Sequence, residues 1–115
     1  MRKDLRPEKR ITEKHVKTFL DIVIFAMLNS EPTYGYKIIA AIHKEFGVLL
    51  SPGSLYPLLH FLEDNKLIES CSNKGKIVYQ ATLKGKEKFE KILAAYNASI
   101  NKMSNFVRFN GKFSL

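Results

Sequence analysis

The sequence predicts a mainly α fold with one two-stranded β-hairpin (α+β), and three observations carry that reading. Apolar residues recur at helical spacing in four separate segments. Two short extended runs flank an Asn/Gly turn at residues 72–75. The chain has 115 residues, 45% of them apolar, enough for one domain with a modest core and close to the size where dimerisation often completes it.

Residues 1–13 form a basic arm. From 14 to 28, KHVKTFLDIVIFAML is too long for a typical strand and lacks strict alternation, so a single helix is expected, apolar almost all round and covered on more than one side. NSEPT ends it, with Pro32 setting the turn. Residues 34–46 place Tyr34, Ile38, Ile39, Ile42 and Phe46 on one helical stripe, and Gly47 suits the C-terminal cap.

The third helix, 51–64, begins with Ser51 as a good N-cap and Pro52 as a good first helical residue. Leu55, Leu58, Leu59 and Leu62 form its apolar stripe, while Gly53, Pro57, His60 and Asp64 occupy the far face, flanked by Tyr56 and Phe61. Residues 67–71 and 76–82 are the arms of the hairpin. Thr82 caps a last helix, 83–107, in which Phe89, Leu93, Tyr96, Ile100, Met103 and Val107 are spaced 4, 3, 4, 3, 4, as in a coiled-coil seam. A second subunit is the expected cover for that seam, so the chain reads as a homodimer. Residues 108–115 read as a loose tail.

The net charge of +8 is uneven. Residues 1–17 hold seven Lys/Arg against three acids and residues 72–91 hold six against two, whereas 18–71 hold three against six. Basic zones flanking a slightly acidic middle suggest a phosphate-rich partner. Helix, helix, helix, hairpin is the order of a winged helix-turn-helix, whose third helix enters the DNA major groove while the hairpin lies along the backbone. Here that helix holds no Lys or Arg. Its N-terminus still presents unpaired amides and a positive dipole end, which suit a phosphate without a lysine.

Gly53 lets the backbone come close, and Ser51, Ser54 and Tyr56 offer hydroxyls to phosphates or base edges. His60 shares that face, and Lys37, Lys74 and Lys76 supply long-range attraction. These eight are the expected DNA-binding residues, with Tyr34 and Tyr36 read as packing.

The runs 33-TYGYKI-38, 51-SPGSLYPLL-59, 62-LEDNKLI-68 and 82-TLKG-85 resemble the PadR-type transcriptional regulators, over roughly residues 18–95. The Ser-Pro-Gly-Ser-Leu-Tyr-Pro run is the most specific of them. The resemblance implies a winged-helix domain, dimerisation through the first and C-terminal helices, and repression of nearby promoters, often released by a small ligand. It places the recognition helix on 51–64, the wing on 72–76 and the dimer helix on 83–107. The chain departs from the family pattern at His60 and Phe61, where relatives often carry basic residues. Its short wing has two lysines and no arginine, and the chain has no tryptophan. A single C-terminal helix is similar to the family's smaller branch.

Other classes fit less well. His15, His43 and His60 fall on three different helices with no ligand spacing between them, so no metal or other cofactor is expected. Cys71 is the single cysteine, consistent with a reducing compartment, and an enzyme built on it would lack a recognisable signature. No apolar run is long enough to cross a bilayer, and the charged N-terminus has no apolar segment behind it. The expectation is a cytoplasmic, homodimeric regulator binding double-stranded DNA at a palindromic operator, acting as a repressor, with any effector unknown. The alternative is a winged-helix module for RNA or protein without DNA specificity.

Overall fold

The computed structural model describes the backbone of residues 6–113 and the side chains of residues 6–110. The first five residues of the basic arm and the chain's last two lie outside it. Five helices and three strands follow in the order α1 (Pro7–Thr18), α2 (Leu20–Ser30), β1 (Thr33–Tyr34), α3 (Gly35–Phe46), α4 (Pro52–Asp64), β2 (Ile68–Asn73), β3 (Lys76–Ala81) and α5 (Leu83–Phe113).

The expected single helix over 14–28 is two helices. The chain bends at Phe19 (φ −110°, ψ 32°), where its N–H still closes α1 on the His15 carbonyl and its own carbonyl receives Val23 to start α2. No proline or glycine breaks the run; packing does. The bend lets Val16 of α1 reach the core alongside Ile24, Phe25 and Leu28 of α2, and it sends the Phe19 ring edge-on against Tyr96 of α5 at 5.0 Å. The first helix starts at Pro7, so much of the segment read as an arm is helical.

Local signals account for the next boundaries. Gly47 ends α3 in the left-handed conformation (φ 69°) and donates its N–H to His43. The Ser51 Oγ accepts the Ser54 N–H at 3.2 Å, and Pro52 opens α4. Pro57 lies inside the helix but early, where it removes one backbone bond. At the other end Lys66 takes φ 62°, which allows Leu67 N–H to reach the Leu62 carbonyl and close the helix end.

The hairpin has a third strand beside it, so the sheet has the order β1-β3-β2, all antiparallel. Thr33 and Tyr34 pair with Tyr79 and Val78, a strand of two residues that no sequence periodicity can register. Lys74 and Gly75 form the two-residue turn with φ 51° and 80°, the left-handed pair that matches the twist of a hairpin.

Ile24, Leu28, Ile38, Ile42, Leu55, Leu59 and Ile68 are fully buried and join α2, α3, α4 and β2 in one core. Against it stands α5, through Phe89 stacked on Phe25 at 5.1 Å. Its start is tied down by Thr82, whose Oγ1 accepts the Gly85 N–H (3.0 Å) and donates to the Lys66 carbonyl (2.7 Å). The helix then runs on to Phe113, six residues past the expected end, with no residue from 101 to 110 buried.

Candidate nucleic-acid interface

The apolar stripe of α4 fixes which side of the helix is free. With Leu55, Leu59 and Leu62 locked in the core, Gly53, Pro57, His60 and Asp64 are all exposed on the opposite face, as the spacing requires. Ser51 and Ser54 are exposed at the helix start, where their hydroxyls also meet each other at 3.1 Å. A Cβ added at Gly53 would find only the Ser51 Oγ, at 3.8 Å, so the backbone there is open to a close neighbour.

Tyr56 sits differently from the other expected contacts. It is half-buried, and its hydroxyl end lies so close to Gly35 that a Cβ there would collide with it. The absence of a side chain at Gly35 thus lets the α4 tyrosine lean across onto the start of α3.

On the wing, Lys74 is exposed at the turn, and Lys76 lies over the Tyr34 ring with its Nζ 4.4 Å from the centroid. That cation–π contact directs a flexible lysine toward α3. Lys37, on α3, approaches Glu31 at 3.6 Å, but both groups are exposed and such a pair is worth about 0–1 kcal/mol, too little to hold it from an anion. Ser51, Gly53, Ser54 and His60 are thus exposed on α4 with Tyr56 at the edge of that face, while Lys76 and Tyr56 line one cleft, Lys74 is exposed at the hairpin turn and Lys37 lies on the neighbouring helix.

Two exposed groups beside Tyr56 and Lys76 were not read from the sequence as part of this region: Tyr36 on α3 and Ile77 on β3. Tyr36 lies two residues from Tyr34 and so falls off the α3 stripe, a signal the sequence did carry. Burial pushes the Tyr79 phenol above its ordinary pKa, with Tyr56 and Glu63 adding in the same direction, so it remains a neutral donor between the wing and α4.

The seam residues of α5 are divided. Phe89 packs in the protomer's own core and Tyr96 against its own Phe19, whereas Leu93, Met103 and Val107 are exposed and Ile100 half-buried. Phe106 and Phe109, absent from the seam read from the sequence, are exposed as well. Among the described residues no cluster of His, Cys, Asp or Glu is placed to hold a metal, and no helix is long and apolar enough to cross a membrane.

The fold matches solved regulators closely. A transcriptional regulator from Clostridium thermocellum aligns with TM-score 0.74 at 20% identity, over 82% of this chain and 95% of that one. A PadR family regulator from Eggerthella lenta aligns with TM-score 0.75 at 22% identity, over 85% and 89% of the two chains. A PadR-like regulator from Bacillus cereus aligns with TM-score 0.72 at 28% identity, over 82% and 96%. A comparison with curated proteins finds no match. The transcriptional regulator PadR-like family matches residues 24–91, from the middle of α2 through the wing and into α5. That span is more than half of the chain and contains all of α4, β2 and β3, so the chain belongs to the PadR-like family of transcriptional regulators, whose members are DNA-binding winged-helix proteins and not enzymes.

Proposed function

We propose that the protein is a homodimeric, sequence-specific regulator of transcription that represses by binding an imperfect palindrome in double-stranded DNA in the cytoplasm. The observation that carries this reading is the exposed face of α4, with Gly53, Ser54 and His60 turned away from the leucine stripe in the core, in a fold that also exposes Lys37 on α3 and Lys74 and Lys76 on the wing. In a dimer two such helices enter successive major grooves about 34–36 Å apart. Ser54, Tyr56 and His60 select the bases. Lys37, Lys74 and Lys76 set affinity and its salt dependence through phosphates.

Fluorescence anisotropy on duplex from the gene's own upstream region, against scrambled duplex at roughly 150 mM salt, tests the reading. A preference of about a thousandfold supports it, and equal weak binding to every upstream duplex tried would sink it.

Lys74 allows a clean separation of charge from fold. It occupies the first left-handed position of the hairpin turn, where Asn is favoured, so Lys74→Asn keeps the turn and removes only the cation. The variant should weaken all duplexes alike and reduce the salt slope by about one. An altered sequence preference would instead make Lys74 a base-reading residue.

A further inference from the structure

One cleft at the edge of this face shares Tyr56 and Lys76 with the reading above, on which the following inference rests, but its exposed residues Tyr36 and Ile77 have no role there. It measures 430 Å³ and opens between α3, α4 and the wing, lined by Tyr34, Tyr36, Tyr56 and Tyr79 together with Lys76 and Ile77. The chain has five tyrosines, so four of them converge here. Three are accounted for by the fold: Tyr79 is buried, Tyr56 leans on Gly35, and Tyr34 lies under Lys76. Tyr36 is not. It is 76% exposed, and Ile77 beside it is 56% exposed, although both line the cleft.

The chemistry of these walls is specific. One ammonium is steered by the Tyr34 ring, a phenol donates a neutral hydrogen bond, and an isoleucine presents an apolar surface. That combination suits a group with a single negative charge and an apolar neck. A backbone phosphodiester with its deoxyribose is such a group. The exposed lining residues are Tyr36 on α3 and Lys76 and Ile77 on the wing, so a duplex that follows the wing past the start of α3 meets the mouth of the cleft.

We propose that this cleft seats one DNA backbone phosphate. Tyr36 donates its phenolic hydrogen to a non-bridging oxygen, Lys76 pairs the charge, and Ile77 packs on the adjoining deoxyribose. Such a contact fixes the register of the protein on the duplex without reading a base.

Because the phenol is neutral and the lysine is not, the two contributions separate. In the full-length protein with its preferred duplex, Tyr36→Phe should bind roughly tenfold more weakly with an unchanged salt slope, as loss of one hydrogen bond to a charged acceptor requires. Lys76→Gln should instead lower the slope by about one. Methylphosphonate groups introduced one at a time along the backbone locate the site. One position should cost the wild type clearly more than it costs Tyr36→Phe, which keeps only the Lys76 pairing there, while the penalties at other positions stay the same. Wild-type affinity in Tyr36→Phe, or identical methylphosphonate profiles for the two proteins, would overturn the assignment. Wild-type protein that prefers no duplex at all would overturn the DNA-binding reading itself, and that is seen before any variant is compared.

Discussion

Gly85→Ala is expected to destabilise the protein by about 1–3 kcal/mol, although alanine is the better helix former by about 1 kcal/mol. Gly85 is buried in the first turn of α5, and a Cβ there would run into the Leu67 carbonyl oxygen and the Phe25 ring. A backbone carbonyl cannot rotate aside as a lysine tip can. Leu67 is held from both sides, its N–H on the Leu62 carbonyl at 3.0 Å and its oxygen accepting from Thr82 N–H at 3.1 Å. Making room means lifting the start of α5 away from the end of α4, which strains the Thr82 cap and loosens Phe89 from Phe25. Overpacking and a weakened cap cost about 1–3 and about 1 kcal/mol, so they outweigh the propensity gain.

Urea unfolding followed by far-UV circular dichroism, at one fixed protomer concentration because association is linked to folding, measures the difference. Gly53→Ala is the control. Its Cβ enters open space, so stability should hold or rise by up to about 1 kcal/mol. Equal stability of the two variants would mean that α5 is not seated on Leu67 as described.

Gly85 also shows where sequence reading stops. The TLKG run was legible as a helix start, and Thr82 does cap it, but nothing in four letters says that a carbonyl from residue 67 lies against the glycine. Features set by neighbours in sequence were readable: Ser51 and Pro52 at the start of α4, Gly47 at the end of α3, and the tight turn near Gly75. Features set by packing across the fold were not. The bend at Phe19 carries no breaker residue, and β1 exists only because β3 offers it partners. The exposed face of α4 followed from the leucine stripe alone. The inward lean of Tyr56 depends on the missing side chain at Gly35, a contact between helices that the sequence does not show.

The same distinction governs α5, where the largest functional effect is expected. Periodicity marked one seam from Phe89 to Val107, yet the protomer uses its beginning internally and leaves its end bare. Met103, Phe106 and Val107 are 64%, 67% and 60% exposed. Past Ile100 the helix extends another 13 residues, about 20 Å, and every residue from 101 to 110 is exposed. A helix of that length is marginal alone in water, and three large apolar groups on one side of it favour a second copy as the cover.

Met103→Asp combined with Val107→Asp should therefore leave the protomer folded, because both side chains are exposed within it, and convert a dimer into a species of 13.2 kDa by light scattering. Operator binding should fall much further than dimer mass alone suggests. In a dimer the second half-site is met at an effective concentration near the millimolar range, so losing it costs on the order of 10²–10⁴ in affinity. Half-site duplexes separate the two effects: the variant should bind them as the wild-type protomer does. Phe89→Ala is the counterpart, expected to weaken folding through its lost contact with Phe25. A double aspartate variant that remains dimeric would move the interface off the distal helix and onto the first part of α5 and α2.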